Sequence, residues 1–217
     1  MENIFPRVEI NLEKIRHNAK ILTVLAAKKG ISVTGVTKGV AGNLDIANVM
    51  IDAGITCLAD SKMKNIIRMK KYGLHAKFML LRTPALSEIK EVVEFVDISM
   101  NSELSVIRSL AAEAIKQHKV HSIILMVEMG DLREGIMVRD LPAIIREVIG
   151  LKGGVHLEGL GTNFACFGGG IIPTEQKMIQ FSQLAREMQR KFSIIFSYIS
   201  GGNSANYNWL VNTKKQA

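Results

Sequence analysis

The feature that most limits the possible folds of this chain is a repeated alternation of short apolar segments with longer amphipathic segments. The apolar segments are nearly continuous and rich in aliphatic and β-branched residues, as in strands that are buried on both faces. The amphipathic segments have helical spacing and end at turn residues. We predict seven strands, within Val33–Gly39, Ile55–Asp60, Lys77–Arg82, Val96–Ser99, Ser122–Val127, Val155–Leu160 and Ile194–Ile199.

Strands and helices that alternate in this way indicate an α/β protein with a parallel sheet. The best match is a (β/α)8 barrel of the TIM type, with seven βα units present and the eighth missing. A doubly wound sheet is the alternative, although no G-x-G-x-x-G follows the first strand. A further short strand is predicted at Arg7–Ile10, and Asn11 is predicted to cap the first helix.

The predicted barrel leaves two strand edges open, which natural proteins avoid. We considered a truncated chain, a strand divided wrongly and a partner that covers the gap, and we expect truncation. Residues 1–217 are then one barrel domain.

Composition excludes several classes of protein. Among the 217 residues, 47% are hydrophobic and 22% are charged, and no apolar run is long enough to span a membrane. The net charge is +8, but the basic residues are dispersed among acidic ones, so we expect no nucleic acid partner. Two isolated cysteines and a start that does not resemble a signal peptide favour the cytoplasm.

Polar residues follow the predicted strands, and in a parallel barrel these strand ends meet at one mouth. A lysine there can be desolvated and form a Schiff base with an aldehyde, although most lysines lie on the surface. We predict that burial of this kind applies to Lys38. The strand-end residues are Lys38, Asp60, Arg82, Asn101, Ser102, Asp131, Arg133, Thr162, Asn163 and Ser200 through Ser204.

Several of these residues also have simpler structural interpretations. Asp60, Asn101 and Ser102 are more simply explained as helix caps than as catalytic groups. Arg82 is as well explained by an ion pair with Asp60 or Glu103 as by contact with a substrate.

Two loops favour an anionic ligand. Arg133 lies between Gly130 and Gly135, where the backbone can approach a ligand closely and the guanidinium can meet a phenolate or another anion. The run Ser200-Gly201-Gly202-Asn203-Ser204 follows the seventh strand and opens a helix. Backbone amides at such a junction bind phosphate in many barrels, although a simple capped turn is also possible.

A lysine, an arginine and a phosphate loop at one mouth favour pyridoxal phosphate as cofactor. An aldolase-type lysine acting on a phosphorylated carbonyl substrate needs the same three parts, and spacing alone leaves both open.

Four motifs give the chain a resemblance to the alanine-racemase-like, barrel-type (fold III) pyridoxal phosphate enzymes, from about Pro6 to Trp209. Val36-Thr37-Lys38 resembles the family's cofactor-lysine strand, and residues 128–135 resemble its arginine turn. Residues 158–164 resemble the strand beside the pyridine ring, and residues 201–204 resemble the Asn-Ser phosphate loop. Several segments look most like the ornithine racemase branch; they are residues 58–61, 80–82, 101–103 and 199–204.

The resemblance implies a pyridoxal-phosphate-dependent amino-acid racemase. Lys38 would hold the cofactor as a Schiff base and abstract the α-proton of an amino acid. Arg133 would contact the ring hydroxyl, Asn163 would lie by the ring, and Ser200, Gly201, Gly202, Asn203 and Ser204 would bind phosphate. Arg82 is a further candidate for substrate contact. The full-length form would be a homodimer.

The sequence departs from the family pattern in three respects. Asn163 replaces the usual histidine, as in the ornithine branch, and Gly42 stands where alanine racemases carry a tyrosine that contacts phosphate. The family's eighth-strand arginine and C-terminal β domain, with its opposing tyrosine, are absent. We therefore expect weak cofactor binding and no racemisation from these residues alone. The alternatives are a non-catalytic pyridoxal phosphate carrier, which would carry Gly-Glu-Asn near Ala59-Asp60-Ser61, and a decayed fragment.

Overall fold

Seven parallel strands follow one another in chain order across one curled sheet, in a computed structural model that describes residues 7–166 and 169–213. Two short strands pair antiparallel beside the sheet, and another pairs with the fifth sheet strand. The sheet order is β1 (Thr34–Val36), β2 (Cys57–Asp60), β3 (Lys77–Leu80), β4 (Ile98–Asn101), β5 (His121–Glu128), β7 (Val155–Thr162) and β10 (Tyr198–Ser200). The others are β6 (Ile136–Met137), β8 (Ala165–Cys166) and β9 (Gly169–Gly170).

Helices alternate with these strands, as the repeated pattern predicts. They are α1 (Leu12–Ala27), α2 (Leu44–Asp52), α3 (Met63–Tyr72), α4 (Ile89–Phe95), α5 (Leu104–Lys116), α6 (Leu141–Ile149), α7 (Glu175–Phe192) and α8 (Tyr207–Asn212). Short 3-10 turns lie at Lys38–Val40, Leu86–Glu88 and Ser204–Asn206. Asn11 caps α1 as predicted, and its side chain accepts a hydrogen bond of 2.9 Å from the Lys14 amide. None of the described helices is long and apolar enough to cross a membrane.

The sheet is buried on both faces, which explains why its central strands lack polar alternation. In β5, Ile123, Leu125 and Val127 pack with the helices in the larger apolar cluster. Ile124 and Met126 belong to a smaller cluster made of strand residues alone. Its buried members line the inner face of the curl; they are Cys57, Ala59, Met79, Ile98, Ile124 and Met126. Such two-sided burial is typical of a barrel wall.

The sheet has two open edges within the described residues. The strand order begins at β1 and ends at β10, and these two strands do not pair with each other. Their apolar side chains are correspondingly accessible, with Val36 43% and Ile199 44% exposed. Lys29, just after α1, donates a hydrogen bond to the Thr213 carbonyl at the end of α8. The prediction of seven barrel strands without an eighth is confirmed for this part of the chain.

Strand β7 contains a bulge that changes which of its side chains face inward. Ile123 of β5 pairs with Leu157, but Ile124 pairs with Gly159, so Glu158 has no counterpart in the register. Before the bulge, Leu157 packs on the helix side. After it, a Cβ at Gly161 would lie 2.8 Å from Met126 Sδ, on the inner side.

Three predicted strands need correction. Arg7–Ile10 is not a strand, since it pairs with no strand among the described residues and Val8 is 88% exposed. The fourth strand begins at Ile98 rather than Val96, because the Val96 amide still bonds to the Val92 carbonyl at the end of α4. The seventh begins only at Tyr198; the residues before it form no strand, and Ile195 among them is 86% exposed.

Candidate active site

The predicted site residues follow the carboxyl ends of the sheet strands, so the parallel sheet brings them to one mouth. Lys38 comes two residues after β1, and Arg82 comes two residues after β3. Asn163 follows β7 directly, and Ser200 is the last residue of β10. Lys38 therefore lies by one edge strand of the sheet, and the Ser200 to Ser204 loop lies by the other.

A chain of polar contacts joins three of the four motifs. Asn203 Nδ2 donates to Asn163 Oδ1 at 2.7 Å, and Asn163 Nδ2 donates to Asp131 Oδ2 at 3.3 Å. Asp131 Oδ2 lies 3.8 Å from Arg133 Nε. We call Asp131, Arg133, Asn163 and Asn203 the arginine side. The arginine turn, the strand at Asn163 and the glycine loop therefore meet at one place.

Arg133 also contacts a second acidic residue, Glu134. Its guanidinium contacts both carboxylate oxygens of Glu134, at 2.9 and 3.2 Å, and its side chain is 54% exposed. Ion pairs at such exposure contribute little to stability, so the guanidinium can exchange a carboxylate for another anion.

The Ser200 to Ser204 loop is a capped turn in this structure. Asn203 Oδ1 accepts a hydrogen bond of 2.9 Å from the Ala205 amide, and Asn206 Nδ2 donates to the Gly201 carbonyl. Gly202 has a φ of +125°, and a Cβ there would lie 2.9 Å from Asn206 Oδ1, so this position requires glycine. Ser204 is exposed. A phosphate role for the loop remains a prediction.

Lys38 is exposed rather than buried, so the expected desolvation of its side chain was wrong. The buried residue is its neighbour Thr37, which is fully enclosed beneath the lysine. Val36, on the inner side of the open edge strand, is itself exposed, which explains why the strand end gives Lys38 no apolar cover.

Arg82 has structural partners that differ from the predicted ones. Its guanidinium bonds both carboxylate oxygens of Glu88, at 2.7 and 3.0 Å, and the Ser61 carbonyl at 2.7 Å. The predicted pairing with Asp60 or Glu103 was wrong because the 3-10 turn Leu86–Glu88 brings Glu88 closer. A cavity of about 310 Å³ lies beside Arg82, between the ends of β3, β4 and β5.

The three predicted caps also differ in detail. Asp60 lies before α3, and its Oδ1 accepts from the Lys62 amide at 2.9 Å. Asn101 is the last residue of β4, and its amide nitrogen bonds Ser99 instead of a helix. The Ser102 hydroxyl lies 3.1 Å from Thr83 Oγ1, and the α5 cap position is Glu103.

Comparison with known proteins gives consistent matches. Residues 10–216 match the family described as alanine racemase, N-terminal domain. The chain is 36% identical over 203 residues to ornithine racemase of Acetoanaerobium sticklandii, covering 93% of this chain and 56% of that protein. It is 35% identical over 201 residues to lysine racemase of Thermotoga maritima, covering 93% and 55%. It thus spans about half the length of these curated relatives.

The solved structures agree with the fold. An alanine racemase of Clostridium difficile 630 superposes with a TM-score of 0.79 at 18% identity, covering 91% of this chain and 52% of that one. At this identity the similarity establishes the barrel-type fold alone. The family match over residues 10–216 shows that the chain belongs to the alanine racemase N-terminal domain family.

Proposed function

We propose that this chain is the pyridoxal-phosphate-binding part of a racemase that acts on a diamino acid such as ornithine or lysine. The observation that carries the proposal is the contact chain from Asn203 through Asn163 and Asp131 to Arg133, at the mouth that also bears Lys38. The names of the two relatives supply the substrate class.

The donor set fits pyridoxal phosphate. The cofactor has an aldehyde, an acidic phenol and a phosphate, and the mouth offers a primary amine, a guanidinium and a glycine loop with a hydroxyl. Gly201 and Gly202 keep the loop free of side chains, and a Cβ at Gly201 would lie 2.5 Å from Met178 Cε. A small-residue loop of this kind lets backbone amides approach an anion.

Each side chain then has a definite task. When bound, pyridoxal phosphate supplies an electron sink that makes the α-hydrogen of an amino acid acidic. Lys38 Nζ would hold the cofactor and take the α-proton on one face. Arg133 would hold the phenolic oxygen, Asn163 would orient the ring, and Ser204 with the neighbouring amides would bind phosphate. Racemisation also needs an acid on the opposite face.

Tyr198 does not supply that acid. Its ring packs against the inner apolar cluster, 6.0 Å from Nζ of Lys77 at the amino end of β3, the opposite end of the sheet from Lys38. We therefore propose that the 217 residues bind the cofactor and that racemisation belongs to the whole protein, for which we also propose a homodimer.

The test of cofactor binding is covalent trapping. The 217-residue protein is mixed with pyridoxal phosphate, reduced with borohydride and mapped by mass spectrometry. We expect the cofactor mass on Lys38, and none at that position in Lys38→Ala. Lys64→Ala, which removes an exposed lysine of α3, is the matched control and should retain trapping. Cofactor on other lysines alone would contradict the proposal.

The test of activity uses the full-length protein with L-ornithine or L-lysine. Optical activity should decay to zero, and Lys38→Ala should abolish the decay. Lys38-dependent trapping without any decay would favour the non-catalytic carrier instead.

A further inference from the structure

The backbone that carries Lys38 is held much more tightly than its exposed side chain suggests. Residues 37–42, which we call the lysine turn, fold back on themselves: the amides of Val40 and Gly42 bond the Thr37 carbonyl at 3.1 and 3.0 Å. The turn then closes with Ala41 and Gly42 at positive φ, +51° and +62°. Six residues thus form one compact unit whose base is Thr37.

Thr37 is fixed from below by strand β2. Its amide donates to the Ala59 carbonyl at 2.9 Å, and its hydroxyl donates to Asp60 Oδ2 at 2.8 Å. Both Thr37 and Asp60 are 0% exposed. Because Thr37 directly precedes Lys38, these bonds determine the direction in which the lysine leaves the backbone.

Asp60 is a buried carboxylate held by uncharged donors. Besides Thr37, it accepts bonds from the Lys62 amide at 2.9 Å and from Asn65 Nδ2 at 3.1 Å to each oxygen. Asn65 is 1% exposed. A buried carboxylate is costly unless its oxygens are satisfied, so removing one donor disturbs the whole set.

Helix α3 holds the other end of the lysine turn. A Cβ at Gly42 would lie only 2.8 Å from Asn65 Cβ, so the turn sits directly on this side chain. Arg68, one turn along the helix, donates to the Gly42 carbonyl at 2.8 Å and also to the Ala41 carbonyl. Asn65 therefore contacts both Asp60 and the far end of the turn.

We propose that Thr37 and Asp60 are positioning residues that set the direction of Lys38, so that an exposed and otherwise mobile amine meets the cofactor in one orientation. This inference rests on the proposed function. Neither residue touches the cofactor in this account. The hydroxyl of Thr37 acts through the backbone of Lys38, and Asp60 acts through Thr37. Misplacement of a reacting group by about 1 Å can cost on the order of 100-fold in rate.

The experiment compares Thr37→Val, which removes the hydroxyl but keeps the shape, with Thr37→Ser, which keeps the hydroxyl. Three quantities are measured in the full chain. They are the rate of pyridoxal phosphate trapping at Lys38, the rate of reductive methylation of the Lys38 amine by formaldehyde, and the amide hydrogen exchange of residues 38–42. We expect Thr37→Val to slow cofactor trapping about ten-fold or more. Methylation should stay within about two-fold, because a small aldehyde does not need an oriented amine.

Thr37→Ser should restore trapping towards the wild-type rate. Amide hydrogen exchange in the lysine turn should become faster in Thr37→Val but not in Thr37→Ser. The protection of the β5 amides against exchange should stay unchanged in both variants. This last comparison separates a local loosening from general unfolding.

The outcomes distinguish the two proposals. If the wild-type protein traps no cofactor at Lys38, the proposed function fails, and this inference fails with it. If the wild type and Thr37→Val trap cofactor equally fast, only the positioning role fails. If trapping and methylation fall together, the change acts on the amine or the fold rather than on orientation, and the positioning role is again wrong.

Discussion

Thr37, at the base of the lysine turn, and Asp60 below it are fully buried, whereas Asn203 and Arg133 are exposed on the arginine side of the same mouth. Both regions are networks of hydrogen bonds, but water competes only for the second. A buried network fixes one geometry, and an exposed one can rearrange when a ligand arrives. Under the proposed function, the lysine turn would hold Lys38 in one direction, and the arginine side would adapt around an anion.

The largest expected effect comes from breaking the contact between the lysine turn and α3. Gly42→Ala places a Cβ 2.8 Å from Asn65 Cβ at a φ of +62°. We expect it to lower the free energy of unfolding by about 3 kcal/mol, from overpacking and left-handed strain together. Urea unfolding measures this change.

Gly39→Ala is the matched control in the same turn, because a Cβ at Gly39 would meet no atom of the described residues within 4 Å. Its effect should stay below about 0.5 kcal/mol. Equal losses in the two variants would show that the turn is not wedged against α3.

A second expected effect concerns a buried polar side chain away from the mouth, His121, whose burial should make the stability of the fold depend on pH. His121 is 3% exposed, and its Nε2 lies 2.8 Å from the Ser99 hydroxyl. The pKa of His121 is lowered from 6.5 to about 4, chiefly by burial and to a smaller extent by Lys119, while Asp97 and the Val96 backbone oppose the shift. Below pH 6.5 the His121 imidazole is therefore protonated in the unfolded chain but stays neutral in the folded chain until the pH approaches 4.

Stability from this site is thus fully present above about pH 6.5 and is lost as the pH falls towards 4. Between pH 7 and pH 5 the loss should be about 2 kcal/mol. Urea unfolding of wild-type protein and His121→Gln at both pH values measures it, and the variant should lose about 2 kcal/mol less over the same interval. Parallel pH dependence in the two proteins would refute the assignment to His121.

The smallest expected effect lies on the arginine side. Asn163 is half-buried, and Asn163→Ala removes its bonds to Asp131 and Asn203. Because water can replace these bonds, the free energy of unfolding should fall by less than about 1 kcal/mol.

Asn65→Ala is the buried counterpart and should cost more than about 2 kcal/mol, because it leaves the Asp60 carboxylate short of donors. Thermal unfolding of the two variants makes the comparison directly. A larger loss for Asn163→Ala than for Asn65→Ala would reverse the contrast between the two regions.

Much of the fold follows from sequence pattern because burial on both faces leaves a clear signal. Strands β2 and β3 lie within their predicted segments, β5 extends one residue beyond each end of its segment, and Asn11 caps α1 as predicted. The errors concern a strand predicted before α1 and the first residues of the strands that follow α4 and α7. Apolar residues there, such as Val8 and Ile195, lie outside any strand and are largely exposed, so hydrophobicity alone misplaces them.

For the site, the sequence predicted which segments come together and in what order they occur along the chain, but not which side chains contact each other. The barrel pattern brings strand ends together, and the glycines mark the loops that surround them. The partners of each polar group depend on tertiary placement, which is why the Arg82–Glu88 pair and the Thr37–Asp60 bond were missed. One signal for the second was available, since a threonine directly before the candidate lysine and an aspartate at the end of the adjacent strand are natural hydrogen-bonding partners.

Because of the bulge at Glu158, the face of the sheet to which the end of β7 points depends on whether the number of residues in the strand is odd or even. Leu157 faces the helices, and the extra residue lets Asn163, six positions later, face the mouth, although an unbroken strand would turn both the same way. Protein engineers who shorten or lengthen this segment should therefore change it by pairs of residues. A single deletion would preserve the strand's hydrophobic character and yet turn its polar end away from Asp131 and Asn203.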